Sequence, residues 1–266
     1  MKNIILCVLL IEAFFVGGCQ NSGGESRNEE AIPKKLLIPL YGYPNNPSWN
    51  ELIEMKRLHP KVEVVAIVNQ SNGEFDVCDN NFIAGIEYLK NEGIAPIGYV
   101  RTDYTDKDIT EVQENVTFWA SCYKEYGLEG IFFDEVSRLN EDVAYYKTLA
   151  EYTHAKGLSF IVLNPGTNVE QGYFEENVAS LIVTKETTYA SGINATEFNE
   201  PTSSTQLGVL FYKSADADMP SKLCTYAKEH DFAYIYATGD GFDGNPWDSL
   251  SDYLEEIMTL IENGCS

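Results

Sequence analysis

The chain has 266 residues, 44% hydrophobic and 12% aromatic, enough apolar mass for one large domain. Its formal charge of −23 excludes nucleic-acid binding through phosphates, which needs clustered Lys and Arg. The charge favours a self-repelling surface and cationic over anionic ligands.

Met1-Lys2-Asn3 is a short basic start, followed by a mostly apolar run from Ile4 to Val16. That run is too short for an ordinary spanning helix and reads as a signal peptide over residues 1–18. Val16-Gly17-Gly18-Cys19 resembles a bacterial lipobox, with Cys19 as the lipidated residue of an exported envelope protein. Glu12 within the apolar run departs from that pattern, and ordinary cleavage with secretion is the alternative. Residues 19–35 are polar and glycine-rich and read as a flexible tether. Membrane attachment is expected through this anchor only, and the protein is expected as a monomer.

From residue 36 to 266 strand and helix alternate, and each helix is punctuated by a capping residue or glycine. Leu36–Leu40 is a strand, followed by a helix from Pro47 to Leu58. Val62–Val68 is the second strand, and Asp79 caps a helix that Gly93 stops. Ile94–Val100 is the third, and Asp106 or Asp108 opens a helix running to Tyr126. Gly130-Ile131-Phe132-Phe133-Asp134-Glu135 is the fourth. Its apolar run reads as a strand buried on both faces. A helix from Asn140 to Lys156 follows. Leu158–Leu163, Val178–Thr184, Leu207–Tyr212 and Phe232–Ala237 are the remaining strands. Helices are expected over 214–230 and 246–262. Eight such units predict a (β/α)₈ TIM barrel in one domain. An open doubly wound sheet normally carries a glycine-rich phosphate turn after its first strand, and Tyr41-Gly42-Tyr43-Pro44 is not one.

The domain has four cysteines, Cys78, Cys122, Cys224 and Cys265, an even number that permits disulfides in an exported chain. The helices after strands two and three are neighbours in a barrel, as are those after seven and eight. Cys78–Cys122 and Cys224–Cys265 are therefore the candidate pairs. There is no C-x-x-C, and His59, His154 and His230 fall near predicted helix ends, where they read as surface residues. No metal site and no cofactor are expected.

In such a barrel the strand C-termini open on the active site. Those positions hold Tyr41 and Tyr43, Asn69, Tyr99 and Arg101 with Asp103 and Tyr104, Asp134 and Glu135, Asn164, Glu186, Tyr212, and Asp240. Asp134 and Glu135 point to opposite sides, one to the mouth and one to a neighbouring loop. Carboxylates among aromatic platforms suit glycoside hydrolysis, in which one acid protonates the leaving oxygen and a second attacks or activates water. Asp134 and Glu186, two strands apart, are the candidate pair. Tyr41, Tyr43, Tyr99 and Tyr104 are expected to line a sugar groove, and Asn69, Arg101, Asn164, Tyr212 and Asp240 complete the expected substrate-binding set.

The motifs Ile38-Pro39-Leu40-Tyr41-Gly42-Tyr43-Pro44, Val68-Asn69, Pro96-Ile97-Gly98-Tyr99-Val100, Gly130 to Glu135, and Asn164-Pro165-Gly166 occur in that order. Together they resemble the spherulin-4-like family (spherulation-specific family 4), over roughly Leu36 to Asn263. The resemblance implies a (β/α)₈ barrel. It also implies an activity: characterised members include fungal glycoside hydrolases that cut polymers of α-1,4-linked N-acetylgalactosamine. The family's essential acids, an Asp-Glu pair after strand four and a glutamate after strand six, fall here on Asp134, Glu135 and Glu186. Two departures stand out. Lys185 precedes Glu186, and Asn69 is followed by Gln70-Ser71-Asn72-Gly73 where members often carry a proline. The implied substrate is a hexosamine polysaccharide, partly cationic when deacetylated. The alternatives are a carbohydrate-binding barrel without catalysis and a surface interaction protein.

Overall fold

The computed structural model describes residues 33–202, 204–241 and 244–265. The signal-peptide and lipidation expectations, Cys19 included, lie outside the described residues. Eight parallel strands close into a barrel in sequence order. They are β1 Lys35–Leu40, β2 Val64–Val68, β3 Ile94–Arg101, β4 Gly130–Asp134, β5 Phe160–Asn164, β6 Leu181–Thr188, β7 Gln206–Tyr212 and β8 Phe232–Ala237. The helices between them are α1 Pro47–Leu58, α2 Asn80–Asn91, α3 Ile109–Tyr123, α4 Val143–Ala155, the single turns α5 Gly172–Glu175 and α6 Tyr189–Gly192, then α7 Met219–Glu229 and α8 Leu254–Glu262. The (β/α)₈ barrel is thus observed. None of the described helices is long and apolar enough to cross a membrane.

Local chemistry accounts for the boundaries. Asn46, Asp79 and Asp108 each accept a backbone N–H from the first turn of the following helix, Ser48, Asn81 and Thr110 respectively. Past α3 the chain tightens into a 3₁₀ turn at Lys124–Tyr126 and leaves it through Gly127, at φ 108°. Gly98 serves packing. A Cβ there would lie 2.5 Å from the Trp119 ring, so the bare backbone lets α3 seat its indole on β3. The Trp119 Nε1–H donates to the Tyr99 carbonyl at 2.9 Å.

Several expected boundaries move. β2 and β5 start at Val64 and Phe160, because the preceding residues turn back from the helices. Residues 140–142 form a separate 3₁₀ turn before α4. α7 starts at Met219, after residues 214–218 are spent in turns. β6 starts at Leu181 and runs four residues past Thr184, because Lys185 to Thr188 continue to pair with Val209 to Tyr212. Polar side chains there ended the apolar run that marks a strand in the sequence. α8 starts at Leu254, not Pro246, since the residues before it turn through Asn245 and Ser251 to reach the barrel mouth. His59 is the exception among the histidines: it is buried at the end of α1, with Nδ1 3.2 Å from Glu262.

Both cysteine pairs are disulfides, with Cα–Cα distances of 5.3 Å for Cys78–Cys122 and 5.2 Å for Cys224–Cys265, within the usual span for such bridges. Each closes a loop of some forty residues (separations 44 and 41). Removing a native disulfide costs about 2–5 kcal/mol in small secreted domains. Cys78→Ser and Cys224→Ser should each lower the midpoint of denaturant unfolding, and non-reducing peptide mapping should recover both bridged peptides. Four free thiols in that map would contradict the pairing.

Candidate active site

The register sets three side chains at one height. Arg101 pairs with Asp134, and Asp134 with Asn164, across β3, β4 and β5. Asp134 and Asn164 therefore project side by side at the C-terminal end of the barrel, and the Asn164 Nδ2–H donates to Asp134 Oδ1 at 2.7 Å. The other Asp134 oxygen accepts the Tyr99 hydroxyl at 2.6 Å. Both oxygens of Asp134 are thus held by rigid elements.

Glu186 joins them because β6 is irregular. Leu163 pairs with Ile182, and one step on, Val183 stands beside Asn164. In a regular strand Val183 and Lys185 would share Asn164's face and Glu186 would point outward. The register instead shifts between Val183 and Lys185. A bulge of this kind inserts one extra residue and re-aims the side chains that follow. Lys185 is turned outward, with its ammonium 5.2 Å over the Phe198 ring, and Glu186 faces the mouth. This resolves the unusual Lys185.

Asn164 is the centre of the arrangement. Its Oδ1 accepts the Gly166 N–H at 3.1 Å, so Nδ2 must face the acids. The same Nδ2 donates to Glu186 Oε2 at 2.5 Å. The Gly166 carbonyl in turn accepts the Glu186 backbone N–H at 3.0 Å. The Asn164-Pro165-Gly166 turn therefore grips both the backbone and the side chain of Glu186. Trp247 Nε1–H donates to the remaining oxygen, Glu186 Oε1, at 3.0 Å.

Burial and the neighbouring Asp134 charge push the Glu186 carboxyl above its ordinary range, and the donors from Asn164 and Trp247 partly oppose them. Burial, then the Asp134 charge, likewise hold the Tyr41 and Tyr99 hydroxyls protonated well beyond the ordinary phenol range. Glu135 leaves the strand at φ 52°. Its carbonyl accepts the Tyr104 N–H at 2.7 Å and the Thr102 hydroxyl at 2.9 Å, so its backbone braces the β3–α3 loop. Its side chain lies 3.9 Å from Arg101 Nη1, and burial raises its pKa. Glu135 Oε2 is buried without a hydrogen-bond partner among the described residues.

A cavity of about 450 Å³ opens over these acids, lined by Tyr41, Asn69, Asn72, Tyr99, Asp134, Glu186, Tyr212 and Trp247, with Gly241 and residues 244–246 at its edge. Of the expected binding residues, Tyr41, Asn69, Tyr99 and Tyr212 line it, and Asn164 is buried and bonded to both acids that do. Four others do not. The Tyr43 hydroxyl donates to Asp79 and accepts from Asn81, which ties the ring to the start of α2. There it borders a separate depression of about 560 Å³. Two of its acids are otherwise engaged: Glu74 meets Lys107 at 2.5 Å and Asp79 caps α2. Arg101 sits between Glu74 and Glu135, 3.9 Å from each. Tyr104 is exposed on the rim, on a turn whose residues Asp103 to Thr105 all have positive φ. Asp240 is bonded to the Gly241 N–H and to Ser249, and so braces the β8–α8 loop.

Sequence reasoning missed Trp247, Asn245 and Asn72. Asn245-Pro246 is a turn-initiating dipeptide, and a helix predicted across it hid the tryptophan that follows. Asn72 sits in the left-handed region and bonds Asn69 through its backbone N–H at 2.8 Å.

The spherulation-specific family 4 model matches residues 35–261. The chain belongs to this family. Spherulin-4 of Physarum polycephalum is 28% identical over 246 residues, 86% of this chain and 70% of that protein. Among solved structures, Aspergillus clavatus Sph3 in complex with GalNAc is 24% identical, with a TM-score of 0.72 over 88% of this chain and 98% of that one. A GH113 β-1,4-mannanase shares the barrel at 11% identity and a TM-score of 0.53, covering 88% and 98% of the two chains.

The Glu186 pKa is higher folded than unfolded, so the folded state binds that proton more tightly. The stability advantage is present at acid pH and is lost as pH rises through the folded pKa. Above its unfolded-state pKa the group costs stability in either form, as a buried charge or as a proton taken up on folding, and a neutral amide avoids both. Glu186→Gln should therefore raise the melting temperature at pH 7, by about 2–4 °C for each kcal/mol relieved. Asn164→Asp, which sets a third carboxylate between the two, should lower it. Differential scanning calorimetry reads both.

Proposed function

We propose that this chain is an exported glycoside hydrolase, endo-acting on polysaccharide containing α-1,4-linked N-acetylgalactosamine or galactosamine. Asp134 is the nucleophile, Glu186 the general acid/base and Glu135 a supporting acid. The observation that carries this is the Asn164 amide shared by two carboxylates under an open, aromatic-walled cavity. Two oxygens bonded to one nitrogen at 2.7 and 2.5 Å lie within about 5 Å of each other. That favours the retaining geometry of about 5–5.5 Å over the inverting one of about 6.5–9.5 Å.

In the first step a carboxylate oxygen of Asp134 bonds to the anomeric carbon. The glycosidic C–O bond breaks, its electron pair stays on the leaving oxygen, and Glu186 supplies the proton. In the second step Glu186 takes a proton from water, the water oxygen bonds to the anomeric carbon, and the ester to Asp134 is released. The raised Glu186 pKa suits the first role and the nearby negative charge of the free enzyme maintains it. Tyr41 and Tyr99, edge to face at 5.6 Å, line the cavity with aromatic surface, and the Tyr41 hydroxyl can meet ring substituents while that of Tyr99 holds Asp134. The acidic surface suits a partly deacetylated, cationic polymer. Two disulfides and the Val16 to Cys19 lipobox support export to an oxidising compartment, with Cys19 as a lipid anchor. If so, Cys19→Ser moves the protein out of the detergent phase on partitioning.

Purified protein incubated with defined N-acetylgalactosamine and galactosamine oligomers should release internal fragments by mass spectrometry. Proton NMR should show the first-formed anomer with retained configuration. Asp134→Asn should lose at least about a thousandfold in kcat, and kcat/KM should fall as pH rises through the Glu186 pKa. Inversion, or full activity in Asp134→Asn, overturns the assignment. Retention without a glycosyl ester on Asp134 transfers the attack to the substrate's own acetamido group. Binding without cleavage makes the chain a carbohydrate-binding barrel.

A further inference from the structure

Glu186 has two side-chain partners, and neither can accept a proton. Asn164 presents its amide N–H, because its oxygen is committed to Gly166. Trp247 presents an indole N–H, a donor with no acceptor capacity. A protonated Glu186 therefore has no acceptor in either bonded neighbour. Its O–H is left for whatever occupies the cavity.

The two donors do not hold equivalent edges. Asn164 holds Oε2, the oxygen on the Asp134 side. Trp247 holds Oε1 from the opposite wall, after β8. The indole itself is fixed. It is 6% exposed, with its ring edge-on to Tyr212 at 5.9 Å and tilted on Tyr236 at 6.0 Å. Its backbone N–H is accepted by Asn245 Oδ1 at 3.0 Å, and the Tyr236 hydroxyl anchors the following turn by accepting the Ser251 N–H at 2.9 Å. A tryptophan this deep in the barrel mouth, aimed at one carboxylate oxygen, has more to do than fill space.

We propose that Trp247 is the positioning residue of Glu186: its indole N–H fixes the Oε1 edge and directs the transferable proton to the bound ligand. The inference rests on the glycosidase reading for its consequence in turnover. The hydrogen bond and its effect on Glu186 stand apart from it. Donation to the carboxylate favours the charged form, so it limits how far burial and Asp134 raise the Glu186 pKa. Trp247 thereby keeps Glu186 able to return as a base in the second half of the reaction.

Two variants separate the N–H from the ring. Trp247→Phe removes the donor and much of the bicycle. Incorporation of benzothienylalanine at position 247 replaces only the N–H by sulfur and keeps the shape. Each is measured in two ways on protein whose thermal melt stays cooperative. The first is the carboxyl titration of Glu186 by carbon-13 NMR, assigned against Glu186→Gln. The second is the pH profile of kcat and kcat/KM on a hexosamine oligomer. Both variants should titrate Glu186 at higher pH and carry the alkaline limb of kcat/KM upward with it. Loss of one charge-assisted hydrogen bond should lower kcat about tenfold or more, with KM within about twofold. An unchanged Glu186 titration in the folded benzothienylalanine protein overturns the proposal, whatever the activity. A shifted titration in the variants, when the wild-type protein cleaves no oligomer, upholds the hydrogen bond and defeats the glycosidase reading instead.

Discussion

Two carboxylates at the mouth of an apolar barrel repel each other and lose hydration, and the structure depends on how that cost is met. One amide nitrogen, that of Asn164, bonds to both. It does so because its oxygen is held by the Gly166 N–H in the same turn. The remaining oxygens find Tyr99 on one side and Trp247 on the other. Every donor in this network comes from a strand end or from the loop immediately following one. The rigidity of the closed sheet is thereby passed to the acids. An unpaired charge at this depth would cost several kcal/mol; four hydrogen bonds offset part of that cost, and burial beside Asp134 still leaves Glu186 biased towards protonation.

Much of this architecture was legible in the sequence. The apolar run Ile131–Phe133 between a glycine and two acids identifies a barrel strand and its functional end, and the structure puts Asp134 where that reading expects it. Capping residues marked the helix starts at Asp79 and Asp108, because capping is a local interaction. The cysteine pairing followed from barrel adjacency. Glu186 came from strand counting, as the acid that follows the sixth apolar run.

The rest was not legible, for physical reasons. A bulge leaves no mark on hydrophobic periodicity until the partner strand is known, so the outward turn of Lys185 was invisible. Tyr43 and Tyr104 occupy strand-end loops as Tyr41 does. Their positions depend on long-range bonds to Asp79 and Asn81 and on the carbonyl of Glu135. Trp247 lay within a stretch read as helix, but Asn245 and Ser251 turn the chain there through local side-chain bonds, and the indole reaches Glu186 from that turn. Residues that serve the site through loops are set by tertiary contacts, which local propensity does not encode.

The bulge in β6 has a consequence for how such a site changes over time. Lys185 and Glu186 are adjacent, opposite in charge and on opposite faces of the strand. Straightening the strand without removing a residue would exchange them. An ammonium would then stand beside Asp134 and neutralise it, leaving a closed ion pair where two carboxyl groups had shared one amide. The composition would be unaltered to the last residue. A chain can therefore keep every acidic letter of the motif and still lose the pairing of the two acids, by a change of parity in one strand.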